Sequence, residues 1–186
     1  MLRFATLRPA LFAAFAAALL PGLAPAADTP DMERLYAELA DPDNLNWQHA
    51  QADVLRAWSK SGSASMDLLL KRGEAALDAG DFIGAIEHFT ALTDHAPDFA
   101  QGWTERAAAY YLAGEVGPAI ADLRRALGLN SHDFTALNGL GTILRDVGRT
   151  AEAAEVFRAS LAIHPHQEDV RQALDLLERE TEGTEL

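Results

Sequence analysis

Residues 66–99, MDLLLKRGEAALDAGDFIGAIEHFTALTDHAPDF, residues 100–133, AQGWTERAAAYYLAGEVGPAIADLRRALGLNSHD, and residues 134–167, FTALNGLGTILRDVGRTAEAAEVFRASLAIHPHQ, are one 34-residue unit written three times without a gap. In this register Gly80, Gly114 and Gly148 share the fifteenth place, and Ala85, Ala119 and Ala153 share the twentieth. A bulky apolar residue fills the fourth place (Leu69, Trp103, Leu137) and the twenty-fourth (Phe89, Leu123, Phe157), while the eighth is small (Gly73, Ala107, Gly141). Each unit therefore reads as two antiparallel helices. Gly at the fifteenth place takes the left-handed backbone that ends the first helix. Asp81, Gly117 before Pro118, and Thr150 are the expected caps of the second. Small residues at the eighth and twentieth places let the paired helices approach, and the bulky places interlock.

These marks resemble the tetratricopeptide repeat (TPR), whose signature sets Trp, Leu-Gly, Tyr, Ala, Phe and Pro at fixed places in a unit of the same length. The second unit carries Trp103, Tyr110 and Ala119, and the first and third close with Pro97 and Pro165. Arg72 and Arg106 stand where the signature has Leu, and Ser131 where it has Pro, which predicts looser turns there. The resemblance implies an all-α fold, a right-handed α-solenoid of TPR helix pairs, with a concave groove that takes a polypeptide.

Outward from the repeats, Glu168 to Glu180 places Val170, Ala173, Leu174 and Leu177 on one face, as a helix at 168–180 capping the last unit. The segment 181–186 is expected to fray. Upstream, helical patterns run from Met32 to Ala40, stopped by Asp41-Pro42-Asp43-Asn44, and from Trp47 to about Lys60 behind Asn46 as cap. Met32 precedes Met66 by one full repeat length, so this pair, within 27–65, is expected to stack on the first repeat as a degenerate fourth unit. Trp47 and Trp58 would be buried there. Ser61-Gly62-Ser63-Ala64-Ser65 reads as a short flexible connection.

The segment 1–26 has the form of a secretory signal peptide. Arg3 and Arg8 precede an apolar run from Pro9 to Leu20, and Ala24-Pro25-Ala26 offers a cleavage site. The run is shorter than the roughly 20 residues a membrane span requires. No cysteine occurs, so neither a lipid anchor on Cys nor a disulfide is available. Loss of the peptide, which takes Arg3 and Arg8 with it, leaves 13 basic against 28 acidic residues, a net charge of −15. Such a charge disfavours nucleic acid and anionic membranes as partners. The leader, with Trp58 to Ser63 and Met66 to Leu70, resembles short exported alphaproteobacterial TPR proteins. That resemblance implies a periplasmic or secreted address and supplies no reaction.

No motif for catalysis, a cofactor or a metal is present: there is no Gly-x-Ser-x-Gly elbow, no His-Glu-x-x-His helix and no phosphate-cradling glycine loop. His164-Pro165-His166 reads as an exposed turn pair without a third ligand. The expected function is a non-catalytic adaptor that binds a protein or peptide partner. The alternative is a periplasmic envelope-integrity factor bridging components of a complex. The second, fifth, ninth and twelfth places of each first helix form a stripe that lines the concave side. Its candidate partner contacts are Leu70 and Glu74; Gln101, Thr104, Ala108 and Tyr111; and Asn138, Thr142 and Arg145. In TPR modules that bind chaperone C-termini, the places held here by Leu70, Glu74, Glu105, Thr135 and Gly139 carry Lys, Asn and Arg. A terminal carboxylate is therefore not expected here, and Tyr111 is the expected anchor.

Overall fold

In the computed structural model, which describes residues 31–184, the elements are α1 (Met32–Ala40), α2 (Trp47–Trp58), α3 (Ala64–Asp78), α4 (Phe82–His95), α5 (Ala100–Leu112), α6 (Val116–Leu129), α7 (Phe134–Asp146), α8 (Thr150–Ile163) and α9 (Glu168–Thr184). No strand occurs among the described residues. The expected leader and its cleavage site lie outside them. α3/α4, α5/α6 and α7/α8 are the three helix pairs, stacked in order as a right-handed solenoid.

The glycines do what their place demands. Gly80, Gly114 and Gly148 have φ of 74°, 84° and 79°. In each turn the next amide bonds back across the helix end: Asp81 N to Ala76 O, Glu115 N to Tyr110 O, and Arg149 N to Leu144 O, all at 2.8–2.9 Å. This pattern satisfies carbonyls that the ending helix would leave bare. Only one expected cap of a second helix is used, Asp81, which accepts from Gly84 N at 2.9 Å. The other two helices start earlier than Gly117 and Thr150 suggest. Their cap places fall on Glu115 and Arg149, neither of which makes a side-chain cap, because the glycine turn already fixes where the chain re-enters a helix.

Packing between the paired helices is a match of sizes. A Cβ on Gly73 would lie 2.3 Å from the Phe89 ring, and one on Gly141 2.4 Å from the Phe157 ring. The second unit has Ala107 at the same place and the smaller Leu123 opposite, both buried. Phe89 and Phe157 are fully buried, worth roughly 2–3 kcal/mol each in apolar transfer. Ala85, Ala119 and Ala153 are also closed to solvent.

Arg106, at a Leu place, is accommodated by charge pairing. Its Nε and Nη2 donate to the two carboxylate oxygens of buried Asp122 at 2.6 and 2.9 Å, and Nη1 donates to Thr93 Oγ1 at 2.8 Å. The guanidinium lies 4.7 Å from the Trp103 ring centroid. These contacts satisfy a charge that would otherwise be costly to bury. The turn at Ser131 is not loose. Asn130 Oδ1 accepts from His132 N, and buried Asp133 caps α7 by accepting from Ala136 N.

The N-terminal pair has the expected helices but not the expected seat. α1 packs on α8, and Leu35, Leu39, Ala50 and Val54 form one cluster with Phe134, bordered by Ile163. The pair thus docks on the third unit instead of stacking on the first. Trp58 lies 5.3 Å from Phe134, Tyr36 stacks on His132 at 4.3 Å, and Trp47 stacks on His166 at 5.0 Å. His164, expected to be exposed, is buried in this seam and meets Gln51 at 3.2 Å. The serine linker that permits the crossing is fixed in place. Asp67 accepts from Ser61 N and Oγ at 2.8 and 2.6 Å, which holds its carboxyl below the usual range. At the other end α9 extends past Glu180 to Thr184, with Val170, Leu174 and Leu177 buried against the last unit.

Candidate functional site

The first helices α3, α5 and α7 line the concave side, and the end of α2 closes one flank of it. Between them is a cavity of about 610 Å³. From the expected stripe the structure brings Glu74, Gln101, Thr104, Ala108, Tyr111 and Thr142 to its wall. Leu112, Leu123 and Ile143 add apolar surface, and Leu55 and Ser59 of α2 complete it. A second cavity of about 500 Å³ lies under Met32, Tyr36 and Trp58 and shares Gln101 with the first.

Three stripe residues are placed otherwise. Leu70 is buried in the core of the first unit with Phe89 and Leu92. Asn138 is engaged within the fold, donating to Gln167 Oε1 at 2.6 Å and accepting from Ser160 Oγ at 2.6 Å. Arg145 is paired with Asp146 at 3.1 Å. Tyr111 donates its hydroxyl to the same Asp146, so the expected anchor is already positioned across α5 and α7. That bond holds the Tyr111 hydroxyl above its usual pKa and the Asp146 carboxyl below its own.

Glu105 dominates the electrostatics. Burial pushes its carboxyl up to about 7; a hydrogen bond from Gln101 Nε2 at 2.7 Å opposes the shift, and the charges of Glu74 and Asp133 add to it. Glu74 is likewise raised, by burial and by Asp78, against the pull of Lys71. Asp133 is satisfied, accepting from Thr104 Oγ1 at 2.8 Å and Thr135 Oγ1 at 2.5 Å. Sequence reasoning met Glu105 only as a missing clamp residue. Its sixth place, between the stripe residues Thr104 and Ala108, was the signal that it faces the groove. Leu55 and Ser59 carried no such mark, because their arrival depends on where α2 docks.

A family model described as tetratricopeptide repeat matches residues 70–133 and 118–168. The chain belongs to the tetratricopeptide repeat family. A TPR repeat-containing protein of Rhizobium etli is 23% identical over 155 residues, 82% of this chain and 75% of that protein. Among solved structures, the TPR domain of Arabidopsis OM64 aligns with a TM-score of 0.60 at 23% identity, over 62% of this chain and 95% of that one. The first TPR of Spaghetti (RPAP3), bound to the HSP90 peptide SRMEEVD, aligns with a TM-score of 0.60 at 22% identity, over 62% and 94%. At these identities the structural likeness carries the TPR fold alone.

Proposed function

We propose that this TPR protein is an exported, non-catalytic adaptor that binds a polypeptide partner in its concave groove. The observation that carries the reading is the cavity of about 610 Å³ between α2 and the first helices, walled by both apolar and hydrogen-bonding side chains. Solved TPR domains in complex with chaperone peptides support a polypeptide as the class of partner. Peptides ending like SRMEEVD are disfavoured, since Glu74 and Glu105 would face their acidic termini. Export to the periplasm rests on the sequence of the segment 1–26, and the net charge of −15 after cleavage argues against nucleic acid and anionic membranes.

A photo-crosslinker placed at Leu112, exposed on the groove wall, should capture a partner in cells. The same group at Ile83, exposed on α4, should not. Equal capture from both positions, or capture from Ile83 alone, contradicts the groove reading. Mass spectrometry of the isolated protein should find Ala27 at its start; an intact Met1 contradicts export by cleavage.

A further inference from the structure

The groove cavity is lined by Glu74 and Glu105 but by no lysine, arginine or histidine. The basic groups near it are committed elsewhere. Lys60 lines the adjoining cavity and its charge acts on Asp67, while Lys71 acts on Asp67 and on Glu74 and does not line the groove. Arg145 is held by Asp146. α2 contributes Leu55 and Ser59, neither charged, and the cap of α7 contributes Asp133, a further negative charge toward Glu105. Glu105 thus lines a cavity of apolar and polar side chains with no cation in it, and accepts from one amide donor, Gln101 Nε2. A carboxylate so placed holds its proton more tightly than an exposed one, and its charged form is stabilised by a cation beside it. Around it stand Leu112, Leu123 and Ile143, an apolar lining suited to the methylene stem of a long basic side chain.

Given the polypeptide-binding reading, on which this rests, we propose that the cavity receives a lysine or arginine of the partner, flanked by an apolar residue, with Glu105 as its counter-ion. The cation takes the place of the proton that burial helps Glu105 hold as pH falls below about 7. Selectivity follows from charge complementarity: an acidic segment meets two carboxylates, and an uncharged one leaves Glu105 without a counter-ion.

The test is selection of a displayed random dodecapeptide library against the full chain lacking the segment 1–26, at pH 7.5 and low salt. A parallel selection uses Glu105→Gln. Peptides enriched on the parent chain should carry Lys or Arg beside an apolar residue, and that enrichment should vanish on Glu105→Gln. An enriched peptide should bind at least tenfold more weakly when its basic residue becomes norleucine, and should weaken as pH falls from 8 to 5.5. Enrichment of peptides without a basic residue overturns the cation assignment and leaves the groove reading standing. A basic preference that persists on Glu105→Gln overturns it too, by assigning the preference to diffuse acidic surface. No enrichment at all defeats both readings. If Glu105→Gln fails to fold, the pH series on the parent chain decides, and affinity constant from pH 8 to 5.5 overturns the proposal.

Discussion

The repeat interior and the seam of the N-terminal pair are packed by different means. Inside the repeats a glycine faces a phenylalanine in van der Waals contact, Gly73 with Phe89 and Gly141 with Phe157. The seam has a small apolar cluster around Phe134 and is otherwise closed by polar-edged rings, Tyr36 on His132 and Trp47 on His166, with cavities of about 500 and 610 Å³ beside it. Tight apolar interlocking favours one arrangement, whereas stacked amphipathic rings leave room and hold less firmly. The groove belongs to the second kind of packing. Its far walls are rigid repeat helices, and its near wall is a helix held by the weaker seam.

The sharpest contrast comes from truncation. Phe157→Ala should lower global stability by about 3–5 kcal/mol, since the ring is fully buried against a helix that cannot collapse onto the void. A single cooperative melt at much reduced temperature is expected; an unchanged melt would show the repeat interior to be loose. Gly141→Ala should cost about 1–3 kcal/mol through overpacking. Adding Phe157→Leu, the combination that the second unit uses in Ala107 and Leu123, should restore part of it. A double variant no better than the single one would break the size-matching account.

Glu105→Gln should raise stability at pH 8 by on the order of 1–3 kcal/mol, seen as a higher melting temperature, and leave it unchanged at pH 4. The folded pKa of Glu105 is about 7, above its unfolded value. Stability is therefore highest where both states are protonated and falls as pH rises through 7. Trp58→Ala should cost about 1–2 kcal/mol, because the indole is only partly buried beside Phe134. The loss should appear as local release of α1 and α2, seen by hydrogen exchange, with the repeats still folded.

The smallest effect is that of acid on the seam. Burial, helped by the charge of His166 and opposed by Asp169, pushes the His164 pKa down to about 4. Its Nδ1 is buried without a hydrogen-bond partner. A histidine whose folded pKa is depressed stabilises fully above its unfolded value near 6.5, and that contribution is lost as pH falls toward 4. Docking of the pair should weaken by about 1 kcal/mol between pH 7 and 5.5. Trp47 fluorescence reports it, and no change in that window would count against a buried neutral His164.

The repeat phase, the glycine turns and the paired sizes at the eighth and twenty-fourth places were legible because each is local and recurs three times. The seat of α1 and α2 was not. It depends on His132, Phe134, Ile163, His164 and His166, turn and helix-end residues far along the chain, at places the periodicity does not mark. An offset of one repeat length fixes a helix's length and spacing in sequence, but docking follows the apolar surface left open, and Phe134 offered it. In the site, the stripe identified the groove face. It could not show that Leu70 turns into the core or that Asn138 bonds to Gln167 and Ser160.

The central claim is that the N-terminal pair folds back onto the third unit and walls the groove. The chain has no cysteine, so Ala37→Cys in α1 and Ala162→Cys in α8, both exposed, accept two nitroxide labels without background. Double electron–electron resonance should give one short distance, set by neighbouring helices whose axes lie about 10 Å apart plus the reach of the labels. A long distance, with α1 stacked beyond α3 at the opposite end of the solenoid, would contradict the account.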